Sequence, residues 1–115
     1  MNNAIEFIDV SKKYRKGEGL TVEFKEKYTS KIDRDIVALA NTKGGFIVLG
    51  VSDDGKAAGQ KLTNQAKAEI LTLARNCDPH ITVEKISQVG NVIVIEVPAG
   101  EEKPYSCSSG YFRRL

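Results

Sequence analysis

The segment Leu20 to Tyr28, LTVEFKEKY, alternates apolar and polar positions with period two. Val22 and Phe24 fall on one side, and Glu23, Lys25 and Lys27 on the other, which predicts a half-buried strand with a charged outer face. Beyond it, Ile32, Ile36, Leu39 and Ala40 recur at helical spacing and predict a helix with one buried stripe. Thr29 or Ser30 is placed to cap that helix, and Asp33 adds negative charge to its first turn. Asn41 to Gly45, NTKGG, ends it, with a glycine available for a left-handed cap. The apolar run FIVLGV then predicts a central strand covered on both faces, and Asp53-Asp54-Gly55 closes it in a tight turn.

A second helix is expected from about Thr63 to Arg75, with Leu62, Ala66, Ile70, Leu73 and Ala74 inward. Asp78-Pro79 prevents its continuation. His80 to Val97 divides into two strands, HITVEKISQV and NVIVIEV, joined at Gly90-Asn91. Pro98 to Pro104 is a loop, and Tyr105 to Arg114 holds a serine-rich turn and a last strand. The order β-α-β-α-β-β-β gives an α+β sandwich with a mixed β-sheet and two main helices. Neither repeats nor a linker interrupt it, so residues 1–115 form a single domain. The chain closes on Arg113-Arg114-Leu115 in strand-like sequence, which predicts an excised domain of a larger protein.

With 115 residues and 12.6 kDa, the chain is too short for two independent cores. Its 41% hydrophobic and 28% charged residues are those of a globular domain, not a disordered one. No apolar run is long enough to span a membrane, and the start MNNAIEFIDV lacks a basic and apolar signal core. Cys77 and Cys107 with a single histidine are too few for a Cys/His zinc site or a disulfide scaffold. They predict reduced thiols in a cytoplasmic protein, both of them bystanders to function. Seventeen Lys+Arg against fifteen Asp+Glu leave a net charge of only +2. The distribution says more than the total: KKYRK at 12–16 sets four bases around one tyrosine, and Lys103 to Leu115 contains Lys103, Arg113 and Arg114 with no acid. Such runs are either solvated faces or anion contacts.

Three carboxylates frame a candidate for metal chemistry. Glu18 and Glu23 flank the start of the first strand, and Asp53 follows the next. Neighbouring strands would bring the three to one edge, the donor set of a magnesium or manganese site. Lys25 shares the face of Glu23, where it would steady charge on a phosphate. The same Glu-x-Lys pattern also serves plain cross-strand charge pairing. The glycines of NTKGG lead out of a helix into a strand, the reverse of a phosphate cradle, and no Walker-type sequence exists. Gly44 and Gly45 are better explained by a helix cap and a close strand approach. Tyr105, Tyr111 and Phe112 beside Arg113 and Arg114 are suited either to a core strand or to stacking on bases and holding phosphates.

Taken in order, Glu23-Phe24-Lys25, Ala38-Leu39-Ala40-Asn41-Thr42-Lys43-Gly44-Gly45-Phe46, Gly50-Val51-Ser52-Asp53-Asp54-Gly55, Lys103-Pro104-Tyr105 and Tyr111-Phe112-Arg113 resemble the Schlafen AlbA-like domain family. The likeness covers residues 16 to 114. It implies an AlbA-like two-layer sandwich that binds DNA or RNA and forms the N-terminal part of transcriptional regulators or helicase-like proteins, with a homodimer as the expected assembly. The RNA-cleaving animal members pair two such lobes around an active site of two glutamates five residues apart and a downstream aspartate. That resemblance extends to Glu18, Glu23 and Asp53, with Asp54 leaving the third acid open.

Three functions follow as expectations. The first is a nucleic-acid-binding module that holds the backbone through Lys12, Lys13, Arg15, Lys16, Lys25, Lys43, Arg113 and Arg114. The second is an endoribonuclease using Mg or Mn on Glu18, Glu23 and Asp53, with Lys25 as phosphate partner. The third is a protein interaction or dimerisation domain.

Overall fold

A computed structural model describes residues 21–52, 56, 58–108 and 110–111. Strand β1 (Thr21–Lys25) leads to helix α1 (Ile32–Ala40), strand β2 (Gly45–Leu49) and helix α2 (Asn64–Arg75). Strands β3 (Lys85–Val89) and β4 (Val92–Val97) follow, and then the short pair β5 (Ser106–Cys107) and β6 (Gly110–Tyr111). The four longer strands make one mixed sheet in the order β1-β2-β4-β3. β1 runs parallel to β2, as a β-α-β crossover through α1 requires. β2 pairs antiparallel with β4, and β3 with β4 through the Gly90-Asn91 loop. The fold is the expected α+β sandwich.

Alternation along the strands sorts the sheet into two faces. Ile47 and Leu49 of β2 and Ile93, Ile95 and Val97 of β4 face the helices and pack with Ile32, Ile36, Val37, Leu39 and Ala40 of α1 and Ile70 and Ala74 of α2. This is the main core; truncating one of its fully buried Ile or Leu side chains to Ala costs about 2–5 kcal/mol. Val22, Val48, Val51, Val92 and Val94, with Phe46 and Val89, form a separate cluster on the opposite face. FIVLGV is therefore apolar on both sides because both sides of β2 are covered, with Ile47, Val48 and Leu49 fully buried.

Four local details differ from the expectation. α1 is capped by Lys31, which makes no side-chain cap bond; the Thr29 hydroxyl instead accepts from the Lys31 amide at 3.3 Å, one step too early to serve the helix. β3 begins at Lys85, and residues 80–84 lie outside any strand although the Glu84 amide donates to the Glu96 carbonyl at 3.0 Å and Ile81 and Val83 reach the core. Among the described residues, the stretch expected to hold a last strand carries two short antiparallel strands, with Ser106 opposite Tyr111 and Cys107 opposite Gly110. Phe24, predicted inward with Val22, is 37% exposed at the edge of the sheet. The second helix starts as expected, with the Thr63 hydroxyl accepting from the Ala66 amide at 3.0 Å.

Candidate nucleic-acid interface

The end of α1 and the segment before β5 are far apart in sequence and interlock in space. The Asn41 side chain donates through Nδ2 to the Tyr105 carbonyl at 3.0 Å, and its Oδ1 accepts from the Tyr105 amide at 2.6 Å. An asparagine side chain thus pairs with a backbone residue as a neighbouring strand would. Tyr105 is buried, and its hydroxyl accepts from the Glu102 amide at 3.1 Å, which folds the loop before it. The Gly100 amide donates to the Ala40 carbonyl at 2.9 Å and ties the same loop to the last helical residue.

Gly44 and Gly45 complete the joint. The Gly44 amide closes the helix on the Leu39 carbonyl at 2.8 Å with φ at +75°, where a side chain is strained. A Cβ on Gly45 would collide with the Thr21 carbonyl of β1. These glycines perform the cap and the close strand approach that the sequence order predicts, so an anion cradle is not their role.

Around this joint stand cations. Lys103 Nζ donates to the Thr42 carbonyl at 2.7 Å, next to the negative end of α1 where a cation is favoured. Lys43 is exposed one residue further along. Thr21, at the start of β1, pairs with Gly45, so β1 is entered from the same end of the sheet. Glu101 and Glu102, exposed in the loop before Lys103, border the cations on one side.

The far end of β1 holds the other described candidates. Glu23 stands opposite Ile47 and Lys25 opposite Leu49, so both lie on the helix-bearing face. Lys25 Nζ is 3.6 Å from Asp35 Oδ2 of α1, and half-buried Glu23 is likewise engaged. The charged face of β1 is thus partly satisfied by α1 instead of turning wholly to solvent. The Lys25 carbonyl accepts the Gly50 and Val51 amides at 2.8 and 3.1 Å, holding the chain that leaves β2 against the end of β1. The Ser52 amide then donates to the Lys56 carbonyl at 2.8 Å.

Of the predicted site residues, Glu23, Lys25 and Lys43 are described. Lys12, Lys13, Arg15, Lys16, Glu18, Asp53, Arg113 and Arg114 lie outside the described residues. Glu23 and Lys25 share one face of β1, as predicted, while Lys43 lies at the other end of the β1–β2 pair. Among the described residues no three His, Cys, Asp or Glu side chains gather as metal ligands, and no helix is long and apolar enough to cross a membrane. The backbone-pairing role of Asn41 and the helix-end position of Lys103 were missed by residue-type reasoning. Their only signal was membership of the Asn-Thr-Lys-Gly-Gly and Lys-Pro-Tyr motifs.

Comparison with curated proteins gives no match. Among solved structures, the chain is similar to the DIP2311 protein from Corynebacterium diphtheriae, with a TM-score of 0.59 and 22% identity. That likeness covers 82% of this chain and 20% of the other, so the chain spans about a fifth of the length of the protein it matches, and it shows the fold alone. The family described as Schlafen, AlbA_2 matches residues 18–115, which take in the interlocked motifs and β1 through β6. The chain belongs to the Schlafen AlbA_2 family.

Proposed function

We propose that this domain binds DNA or RNA by its sugar–phosphate backbone, within a transcriptional regulator or helicase-like protein. The observation that carries the reading is the placement of Lys43 and Lys103 at the end of the sheet where Thr21 pairs with Gly45. The other candidate cations are close to these segments in sequence. Lys16 lies five residues before Thr21, a reach of at most about 17 Å, with Arg15, Lys13 and Lys12 before it. Tyr111 pairs with Ser106, three residues from Lys103, and Arg113 and Arg114 come directly after Phe112. Lysines and arginines carried by separate parts of the chain suit a phosphate track better than one solvated run does. Lys25, paired with Asp35 at the opposite end, contributes at the margin of such a track.

A second reading, an endoribonuclease with Glu18, Glu23 and Asp53 as Mg or Mn ligands, is favoured by one contact. The Lys25 carbonyl holds Gly50 and Val51, and thus the chain leading to Asp53, against the strand that bears Glu23. Lys25 would then face the phosphate. Labelled transfer RNA and a DNA duplex, incubated with the protein in manganese or chelator beside Glu23→Ala, separate the readings. A shift on a native gel with intact nucleic acid on a denaturing gel is expected of the binding module. Metal-dependent cleavage lost in Glu23→Ala would establish the nuclease.

A further inference from the structure

We propose that Cys77 and Cys107 form a reversible intramolecular disulfide that clamps the β5–β6 hairpin to the end of α2. The two residues are thirty apart in sequence and in no motif, yet the fold makes them neighbours. The Asp78 amide donates to the Ser106 carbonyl at 2.9 Å, and the Ser106 amide to the Asp78 carbonyl at 2.9 Å. This is one closed step of an antiparallel ladder. On the same side of this bridge, Cys77 precedes Asp78 just after α2 and Cys107 of β5 follows Ser106, and the two thiols are close enough to interact. Adjacent steps of such a ladder hold facing Cα atoms about 4.5 Å apart, inside the range a disulfide accepts. Both cysteines are free thiols, and both pack into the main core cluster.

Their environments assign different roles. Cys107 is half-buried in the hairpin and is the thiol a small disulfide reaches first. Cys77 is 2% exposed, and its Sγ donates to the Leu73 carbonyl at 3.4 Å. Burial, Cys107 and the buried Asp33 of α1 all disfavour its thiolate, and the thiol is pushed up to about 11. Cys77 is therefore the resolving thiol.

With glutathione disulfide as oxidant the chemistry balances. The Cys107 thiolate attacks one sulfur of glutathione disulfide, breaking its S–S bond and releasing one glutathione thiolate. The Cys77 thiolate then attacks the Cys107 sulfur of the mixed disulfide, forming the Cys77–Cys107 bond and releasing the second glutathione thiolate. Two protein thiols are oxidised, one glutathione disulfide is reduced to two glutathiones, and excess thiol reverses both steps. The bond closes a loop across residues 77–107 and fixes the hairpin from which the chain continues to Phe112, Arg113 and Arg114.

The test is incubation of the native 115-residue chain with glutathione disulfide, followed by alkylation, intact mass and peptide mapping. The expected product is a monomer with no alkylatable thiol, a mass lower by two hydrogens, a Cys77–Cys107 peptide pair and a higher urea midpoint. Dithiothreitol restores both thiols. Closure speeds up about tenfold per pH unit from about pH 7 to about 9, as Cys77 lies far above that range. Cys77→Ser stops at the mixed disulfide on Cys107, and Cys107→Ser leaves Cys77 unmodified while the protein is native. A native protein that keeps both thiols, or that holds glutathione on Cys107 with Cys77 still free, overturns the proposal. Both outcomes are read on the wild-type chain, so they stand even where a serine variant fails to fold, and neither depends on nucleic-acid binding.

Discussion

Asn41 and Tyr105 lie 64 residues apart and exchange two hydrogen bonds, Nδ2 to carbonyl at 3.0 Å and amide to Oδ1 at 2.6 Å. The pair explains why the end of a helix and a distant loop behave as one unit. Asn41 lends Tyr105 the donor and acceptor that a ladder partner would supply, and Tyr105 in turn buries its ring in the main core. The cations of the proposed interface, Lys43 and Lys103, stand on this joint.

Asn41→Ala removes both bonds and leaves the Tyr105 backbone groups without partners. The expected loss is about 2–4 kcal/mol in urea unfolding. Asn41→Asp keeps the acceptor for the Tyr105 amide and loses the donor, so its loss is smaller. Equal losses in the two variants would show that the bond from the Tyr105 amide to Oδ1 carries nothing.

Gly45 pairs with Thr21 of β1, and a methyl group there meets the Thr21 carbonyl. Gly45→Ala is expected to destabilise by roughly 3 kcal/mol or more, since backbone on both strands must shift. Gly44→Ala adds a side chain at φ +75° with the Ala99 amide 2.6 Å from its Cβ, and is expected to cost a comparable amount. Amide hydrogen exchange provides the finer check, because Gly45→Ala weakens protection first at β1.

Charge around the joint tunes the proposed binding in both directions. Lys43→Ala is expected to weaken binding to transfer RNA and to a DNA duplex by the same factor, as loss of a phosphate contact does. Glu101→Lys, in the exposed loop beside Lys103, is expected to strengthen both. Fluorescence anisotropy at fixed salt measures each change. An effect confined to one sequence would point to base readout in place of backbone contact.

Tyr28 donates from its hydroxyl to Glu69 Oε1 at 2.9 Å and joins the loop after β1 to α2. Burial first, and then the Glu69 bond and charge, push its phenol up to about 12 from 10.0. A proton held more tightly in the folded state stabilises it fully below the unfolded value of 10.0, and that contribution is lost as pH rises through about 12. Cys77, pushed up to about 11 from 9.0, acts in the same direction from a lower starting point. The urea midpoint is therefore expected to fall between about pH 9 and about 12, and to fall less steeply in Tyr28→Phe.

Much of the fold was legible because its elements obey local rules. The stripe Ile32, Ile36, Leu39 and Ala40 is buried as its spacing requires, and Thr63 caps α2 through its own hydroxyl. FIVLGV announced a strand covered on two sides by lacking any polar alternation. What local pattern could not carry was long-range: the pairing of Asn41 with Tyr105, and the bridge between Asp78 and Ser106, the residues next to Cys77 and Cys107. Phe24 misled because period two gives two faces without saying which end of an edge strand stays covered. At the site, Glu23 and Lys25 were correctly placed on one face, but α1 supplies Asp35 to Lys25, a partner four residues into a different element.

The most direct measurement of the central claim is the affinity of the protein for labelled transfer RNA and a DNA duplex across a salt series, beside the Lys43→Ala/Lys103→Ala double variant. Backbone binding predicts that the logarithm of affinity falls linearly with the logarithm of salt, by about 0.9 per phosphate contact on duplex DNA, and that the double variant lowers this slope by about 2. Affinity that is absent at low salt, or that holds steady as salt rises, would contradict it.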